Sequence, residues 1–189
     1  MRTLAAMADT TTPTTSLPLA PGRWALDPFH SRVGFAIRHL GIARIRGHFG
    51  QFDAELVVGP APETTAVTAT VALASIDTGN ADRDAHLRAP DLLDVERRPE
   101  LAFRSTRVHG AGDRWTMEGD VTVAGITRPV TFAVELGGLG DFQGERHAGF
   151  AAHGAIRRDE LGLDLGGFPD AVLGNVVQIE LDLQFVEPS

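Results

Sequence analysis

Apolar and polar residues alternate along most of the chain, and this pattern constrains the fold more than any other feature. In the clearest segment, residues 177–185, Val, Ile, Leu, Leu and Phe alternate with Gln, Glu, Asp and Gln. Similar segments begin at Val33, Phe52, Val67, Trp115 and Val130. Side chains of a β-strand alternate between two faces, whereas a helix would wind such a stripe around itself. The pattern therefore predicts a series of half-buried strands.

Turn signals separate these segments. Glycine- or proline-containing stretches lie at 59–62, 110–113, 124–127 and 137–141. We count eight or nine strands, and the sequence contains no long helices that would cover a flat sheet. A closed antiparallel barrel or a sandwich of two sheets would bury the apolar faces. Eight strands enclose just enough space for side chains or for one elongated ligand.

A polar, turn-rich insert at residues 75–103 interrupts the strand pattern. We expect Asn80 to cap a short helix over Ala81–Ala89, because acidic residues follow in its first turn and Pro90 ends it. Residues 91–95 are predicted to form a second short turn. An all-β chain with one such insert is typical of a closed sheet with a lid or plug, and that architecture can hold an apolar ligand.

Composition sets further limits. The 189 residues carry 17 basic and 25 acidic side chains, a formal charge of −8, and no cysteine. An acidic chain has no general attraction for nucleic acid or anionic lipid, although a local arginine cluster could bind an anion. We expect a disordered tail at 1–20 and one barrel domain at 21–189. The apolar stretch at 4–8 is too short for a secretory signal or a membrane span, so a cytoplasmic location is expected.

No catalytic or metal-binding constellation stands out, and we expect no cofactor. Asp84 and His86 are two residues apart and point to different faces of the predicted helix. Turn chemistry explains Asp77, which precedes Gly79. The seven histidines are scattered, and the Gly-x-Ser-x-Gly nucleophile motif is absent. The chain is therefore predicted not to be an enzyme.

The aromatic residues point to a hydrocarbon ligand. The chain has ten Phe and two Trp but no Tyr, so its aromatic surface is almost purely apolar. Each strand face can simply fill the core, yet together the faces could form the walls of a binding site. A ligand held by such walls gains affinity from buried area, at about 25 cal/mol per Å².

Motifs along most of the chain carry a resemblance to a known family. The first reads Trp-Ala-Leu-Asp-Pro-Phe-His-Ser-Arg-Val-Gly-Phe at 24–35. Others lie at 38–40, 47–49, 75–87, 99–105, 119–130, 149–150 and 156–163. With these motifs in order from about Arg23 to Glu187, the chain resembles the YceI-like family of polyisoprenoid-binding, lipocalin-like barrels. Several members carry a secretion signal, whereas this chain has a Thr/Pro-rich stretch in its place.

The resemblance implies an all-β, extended eight-stranded antiparallel barrel with one short helical insert. Its bore would hold a long-chain isoprenoid or similar amphiphilic lipid, such as a quinone, a polyprenyl phosphate or a fatty amide, for storage or transport. A second copy of the chain is a further candidate partner, in a homodimer. The side chains expected to line the bore are Val33, Phe35, Ile37, Phe103, Val121, Val123, Phe132, Val134, Phe150, Ile179 and Leu181. Those expected to meet a head group at one mouth are Arg38, His39, Arg83, Asp84, His86 and Arg158.

Two alternatives stay open at this point. A ligand in the barrel could be processed by Asp or His groups near Asp77 and His86, which would make the protein a small-molecule enzyme. The barrel could also be a structural or stress-response module with an incidental cavity. A continuous apolar cavity would argue against the second alternative.

Overall fold

The computed structural model describes residues 17–163 and 169–188. The first sixteen residues of the predicted tail and part of the glycine-rich segment at 162–167 lie outside the described residues. The described chain contains one α-helix, α1 (Ala81–Arg88), and eleven strands. The strands are β1 (Gly22–Leu26), β2 (Arg32–His39), β3 (Ala43–Phe49), β4 (Phe52–Val58), β5 (Ala66–Ala72), β6 (Ile76–Asp77), β7 (Glu100–Ala111), β8 (Arg114–Val123), β9 (Ile126–Phe142), β10 (Glu145–Arg157) and β11 (Leu173–Val186).

The strands form a closed antiparallel barrel, which confirms the predicted fold class. β1 and β2 both pair with β11. On their other edges, β1 pairs with β4 and β2 pairs with β3. In turn, β4 pairs with β5 and β3 pairs with β6. β1 and β2 therefore make up one barrel strand with a short break, and the same holds for β3 with β4 and for β5 with β6. With β7 to β11 they make an eight-stranded barrel in which every strand pairs with its sequence neighbours and β11 closes onto β1 and β2.

The break between β1 and β2 has a clear sequence cause. Asp27 precedes Pro28, and its carboxylate accepts hydrogen bonds from the backbone N–H groups of Phe29 at 3.0 Å and His30 at 3.3 Å. Proline cannot donate to a strand ladder, while an aspartate in this position caps a helical turn. The chain therefore makes one 3-10 turn at Pro28–His30 before it resumes the strand.

The up-and-down topology sorts the connections between two ends of the barrel. The insert end carries residues 40–42, 78–99 and 124–125 and the β10–β11 connection. The opposite end carries the connections at 59–65, 112–113 and 143–144. The helical insert thus lies over one end only.

Helix α1 forms as the sequence predicts, ending one residue earlier. The Asn80 side chain accepts a hydrogen bond of 2.9 Å from the Arg83 backbone N–H, as expected of an N-cap. Arg88 fastens the helix to the barrel, because its guanidinium donates to the carbonyl oxygens of Ala74 at 2.7 Å and Ile76 at 2.6 Å. Within the described residues, no helix has the length and apolar character needed to cross a bilayer.

Candidate functional site

An apolar cavity of about 380 Å³ lies inside the barrel beneath the insert. This volume falls within the range of about 300–1,000 Å³ that is usual for small-molecule sites. The walls come mainly from β2 to β6 and β11, with one residue each from β7 and β10, and the insert contributes Leu87, Leu92 and Leu93. Phe35 and Phe49 face each other in the wall, with ring centroids 5.5 Å apart. The cavity occupies one side of the bore rather than its whole width.

The other side of the bore is filled by side chains. Phe103 of β7 and Phe132 of β9 meet edge to face, with ring centroids 5.6 Å apart and planes at 90°. Glycines make this packing fit: a Cβ at Gly119 would lie 2.4 Å from the Phe103 ring, and one at Gly154 would lie 2.6 Å from the Phe132 ring. Aromatic rings lying across cross-strand glycines thus close half of the barrel.

The predicted bore residues divide between these two sides. Those that line the cavity are Val33, Phe35, Ile37, Ile179 and Leu181. Those that do not line it are Phe103, Val121, Val123, Phe132, Val134 and Phe150, which pack in the interior against other side chains and so differ from the prediction. The sequence shows that all of these residues face inward, but not which of them meet another side chain across the barrel.

The opposite end of the barrel is sealed. Trp24 is fully buried, and its indole N–H donates to the Ala20 carbonyl at 2.9 Å. The rings of Phe150 and Phe185 pack beside it, with centroids 6.0 Å apart. Leu19, which the sequence places in the tail, is 8% exposed and packs in the same cluster. The cavity therefore has no route through this end.

One side wall is incomplete. Pairing between the first two barrel strands stops at Ala25 with Glu55 and resumes at Val33 with Phe49. Asp53 lies in this interval, is exposed and also lines the cavity. The break at the 3-10 turn thus leaves a polar, solvent-facing spot in an otherwise apolar wall.

The predicted head-group residues all lie at or next to the insert end, but they do not form one cluster. His39, Arg83, His86 and Arg158 line the cavity. Arg38 points away from it and borders a separate groove on the outer face of β2 and β11. Asp84 is buried and is absent from the cavity wall. The placement of Arg38 and Asp84 therefore differs from the prediction.

Asp84 and Arg83 organise the insert through one threonine. The Asp84 carboxylate accepts hydrogen bonds from the backbone N–H of Thr78, at 3.0 Å, and from its hydroxyl. The Arg83 guanidinium donates to the same hydroxyl oxygen at 2.7 Å and to the Thr78 carbonyl at 2.9 Å. Arg83 still has N–H groups to offer, since a guanidinium carries five donors. No carboxylate in the described chain forms an ion pair with it.

Arg158 has a mainly structural environment. It is 3% exposed, and its guanidinium donates to the carbonyl oxygens of Leu163, Leu173 and Gly174 and lies 3.2 Å from the Asp170 carboxylate. These bonds hold the β10–β11 connection against the barrel end. Arg158 therefore contributes positive charge at the edge of the cavity with its donors largely engaged.

Acid–base chemistry finds little support at the insert end. His86 is exposed, and its Nε2 lies 3.2 Å from the exposed Asp91 carboxylate. The Asp77 carboxylate accepts a 2.7 Å hydrogen bond from the Gly79 N–H, which is the predicted Asx turn. In the part of the chain that the structure describes, no group of three His, Asp or Glu residues is placed to hold a metal ion.

The sequence analysis missed several cavity residues. They are Ile45, Phe49, Phe52, Val71, Leu73, Ile76, Leu87, Leu92, Leu93, Leu101, Ile156, Leu163, Val172, Leu173, Val177 and Leu183, with further small and polar positions. The signal for the strand residues was the same period-two alternation. For the insert, the signal was the presence of Leu87 and the Leu92–Leu93 pair in an otherwise polar segment, which indicates an inward-facing surface.

The fold and its interior define the class: a closed antiparallel β-barrel with an apolar cavity under a helical insert. Residues 24–185 match the sequence profile of the YceI-like domain, and the chain belongs to this family. It is 39% identical over 141 residues to a UPF0312 protein of Photorhabdus laumondii, covering 72% of this chain and 73% of that protein. It is 38% identical over 141 residues to Protein YceI of Escherichia coli O157:H7, covering 72% and 74%.

Solved structures show the same fold. BcnA of Burkholderia cenocepacia superposes with a TM-score of 0.75 at 22% identity, covering 84% of this chain and 98% of that one. The YceI protein of Campylobacter jejuni gives 0.72 at 24% identity, covering 81% and 91%. A polyisoprenoid binding domain from Saccharophagus degradans gives 0.63 at 12% identity, covering 87% and 98%.

Proposed function

We propose that the barrel binds one long-chain isoprenoid or similar amphiphilic lipid, with the hydrocarbon tail in the cavity and the head group at the insert end. Family membership and the polyisoprenoid-binding structural neighbour support this proposal. The observation that carries it is the cavity itself, whose wall is almost wholly apolar and whose polar side chains, apart from Asp53 in the side wall, gather at the insert end. That asymmetry matches an amphiphile.

The half-buried state of the cavity wall supports the same reading. Val33, Phe35 and Ile179 face inward but are only partly buried, because each also borders the empty space of the cavity. Each methylene that a ligand buries there contributes about 0.8 kcal/mol. Affinity should therefore rise with tail length until the cavity is full and then level off.

The head-group end favours an anionic or hydrogen-bond-accepting ligand. Arg83 lines the cavity with unused donors, and His39 and His86 lie in the same wall. A guanidinium pairs well with phosphate, and an imidazole N–H donates to a quinone or amide oxygen. Polyprenyl phosphates, quinones and fatty amides all fit this pattern. We propose that the protein stores or carries such a lipid without transforming it.

Mass spectrometry of a denaturing organic extract of the purified protein tests this proposal first. We expect a long-chain amphiphile near one equivalent per barrel. Delipidated protein is then reloaded with geranylgeraniol, geranylgeranyl phosphate, a short-tailed ubiquinone and oleamide. A protein that yields no lipid and binds none of these four would contradict the proposal.

Two substitutions locate the tail and the head group. Ile179→Trp fills the cavity and should abolish binding, whereas Gln178→Trp, its exposed neighbour on the same strand, should not. Arg83→Gln should weaken geranylgeranyl phosphate at least tenfold and leave geranylgeraniol nearly unchanged. Arg104→Gln on the outer face of β7 is the matched charge control.

A further inference from the structure

The β2–β3 hairpin presents two large apolar side chains to solvent at the insert end. Leu40 is 52% exposed and Ile42 is 87% exposed. Leu40 adopts the left-handed conformation with φ 52°, which is uncommon for a side chain of this kind, and Gly41 follows with φ 70°. The sequence therefore holds two apolar residues on a tight, strained turn where polar residues would suit an exposed loop better.

Two backbone hydrogen bonds and one from a side chain fix this tip in place. The Leu40 N–H donates to the Val172 carbonyl at 2.9 Å, and the Ile42 N–H donates to the His39 carbonyl at 3.2 Å. Arg38 donates through Nη1 to the Gly41 carbonyl at 3.2 Å. The apolar tip is thus tied to the β10–β11 connection and projects from the barrel in a defined direction.

Three arginines lie beside the tip, on the outer face of the same hairpin. Arg38 and Arg44 are direct cross-strand partners, and Arg46 stands opposite Ala36 on the same face. All three arginines are exposed, and none forms an ion pair within the described residues. Like charges directly opposite each other destabilise a strand pair. Because the chain as a whole carries a net charge of −8, this local cluster of positive charge favours binding of an anionic partner at the hairpin.

The hairpin is also part of the cavity wall. Ile37, His39 and Ile45 point inward and line the cavity, while the arginines alternate with them and point outward. A surface that contacts this hairpin would therefore lie next to the insert end of the cavity, where most of the polar lining residues gather. This arrangement places the basic face, the apolar tip and the cavity within one structural unit.

We propose that the β2–β3 hairpin docks the protein on an anionic phospholipid membrane. Leu40 and Ile42 enter the interfacial region, and Arg38, Arg44 and Arg46 contact lipid phosphates. An apolar tip beside arginines is the chemistry by which peripheral proteins bind an anionic bilayer surface. The overall negative charge opposes random attachment and leaves this hairpin as the contact. The inference goes beyond lipid binding in the cavity and does not depend on what the cavity holds.

Vesicle co-sedimentation of delipidated full-length protein tests the docking. Vesicles are either pure phosphatidylcholine or a 3:1 mixture with phosphatidylglycerol. We expect binding to the mixed vesicles at low ionic strength, much weaker binding to phosphatidylcholine, and release at high salt. Arg44→Gln should weaken binding about fivefold, and Leu40→Ser with Ile42→Ser should reduce it at least tenfold.

Matched controls distinguish the effect of the hairpin from the loss of an exposed apolar side chain or of positive charge elsewhere on the barrel. Phe142→Ser removes a 63% exposed apolar side chain at the opposite end, and Arg104→Gln with Arg107→Gln removes exposed charges from β7. Both controls should bind vesicles like the unmodified protein. Equal loss in the controls, or wild-type binding by the hairpin variants, would overturn the proposal, as would the absence of any vesicle binding.

A gain-of-signal variant guards against a folding defect in the serine variants. Ile42→Trp places an indole at the tip, while Trp24 and Trp115 are buried, so lipid bromines should leave their constant emission unquenched. Brominated acyl chains in the mixed vesicles should quench the new fluorescence. Absence of quenching would contradict insertion of the tip. Light scattering adds a further check: a dimer that forms through the tip, and that the serine variants dissociate, would overturn membrane docking in favour of self-association.

Discussion

The ring of Phe35 lies against the backbone of Gly47, its cross-strand partner in the cavity wall. A Cβ added at Gly47 would lie 2.4 Å from the Phe35 ring and 2.8 Å from the carbonyl oxygen of Asp77. The glycine therefore decides where the ring sits, and the ring forms part of the cavity wall. Space for a ligand depends on the absence of one side chain on the neighbouring strand.

Gly47→Ala should destabilise the barrel by about 1–3 kcal/mol and weaken ligand binding. The added methyl group meets both a ring and a backbone oxygen, so the strand must shift or the ring must turn into the cavity. Urea unfolding and lipid titration measure the two effects. Gly140→Ala is the matched control, because a Cβ there meets nothing within 4 Å, and its stability should change by less than about 0.5 kcal/mol. Equal behaviour of the two variants would contradict this account.

Leu161→Ala and Leu181→Ala should have opposite profiles. Leu161 is 1% exposed in the packed core, so its truncation creates a new cavity and costs about 2–5 kcal/mol. Leu181 already borders the cavity, so its truncation should cost less than half as much while lowering ligand affinity. Unfolding free energies in the delipidated state, together with binding constants, check both statements. A larger stability loss for Leu181→Ala would show that the cavity is packed in solution.

Asp84→Ala should loosen the insert without unfolding the barrel. The substitution removes the acceptor for the Thr78 N–H and hydroxyl, at a cost of about 1–3 kcal/mol. Hydrogen exchange at the Thr78 amide should accelerate strongly, whereas amides in β9 and β10 keep their protection. Asp82→Ala, in the same helical turn but exposed, should cost less than about 1 kcal/mol and leave the Thr78 amide protected.

Acid should destabilise the 3-10 turn that joins β1 to β2. The hydrogen bond with His30 is the main reason that the pKa of the Asp27 carboxyl lies below its ordinary value of 3.8. The folded-state pKa is depressed, so the stabilisation is fully present above the unfolded-state value and is lost as the pH falls through the folded-state pKa. The difference in unfolding free energy between the wild type and Asp27→Asn should be constant near neutral pH and shrink below about pH 4. A difference that grows in acid would contradict this sign.

Strand periodicity was sufficient to predict eight or nine half-buried strands in a barrel or a sandwich, while the family resemblance selected the eight-stranded barrel. The helix of the insert was also predicted correctly, because Asn80 caps its start and Pro90 ends it through interactions with residues close in sequence. The packed half of the bore could not be predicted in this way. Phe103 and Phe132 contact each other through the interior, and the space they occupy depends on Gly119 and on another glycine, at position 154, contributed by other strands.

The candidate head-group site shows the same limit. Arg38 and His39 are adjacent in sequence, yet they point to opposite faces of β2, so only His39 reaches the cavity. The carboxylate of Asp84 has the chemistry to bind a polar head group, but in the structure it accepts a hydrogen bond from the Thr78 backbone N–H. Period-two alternation could have separated Arg38 from His39. The role of Asp84 depends on the folded path of the insert, which the sequence does not reveal.

The position of a bound lipid tail tests the central claim most directly. Protein with labelled Ile, Leu and Val methyl groups, loaded with geranylgeraniol, should show intermolecular nuclear Overhauser effects from the isoprenoid methyls to Val33, Ile179 and Leu181. Methyls of the packed side, such as Val121 and Val123, should show none. Contacts confined to outward-facing methyls such as Val176, or no intermolecular contacts from a bound ligand to the cavity wall, would contradict the claim that the cavity holds the lipid.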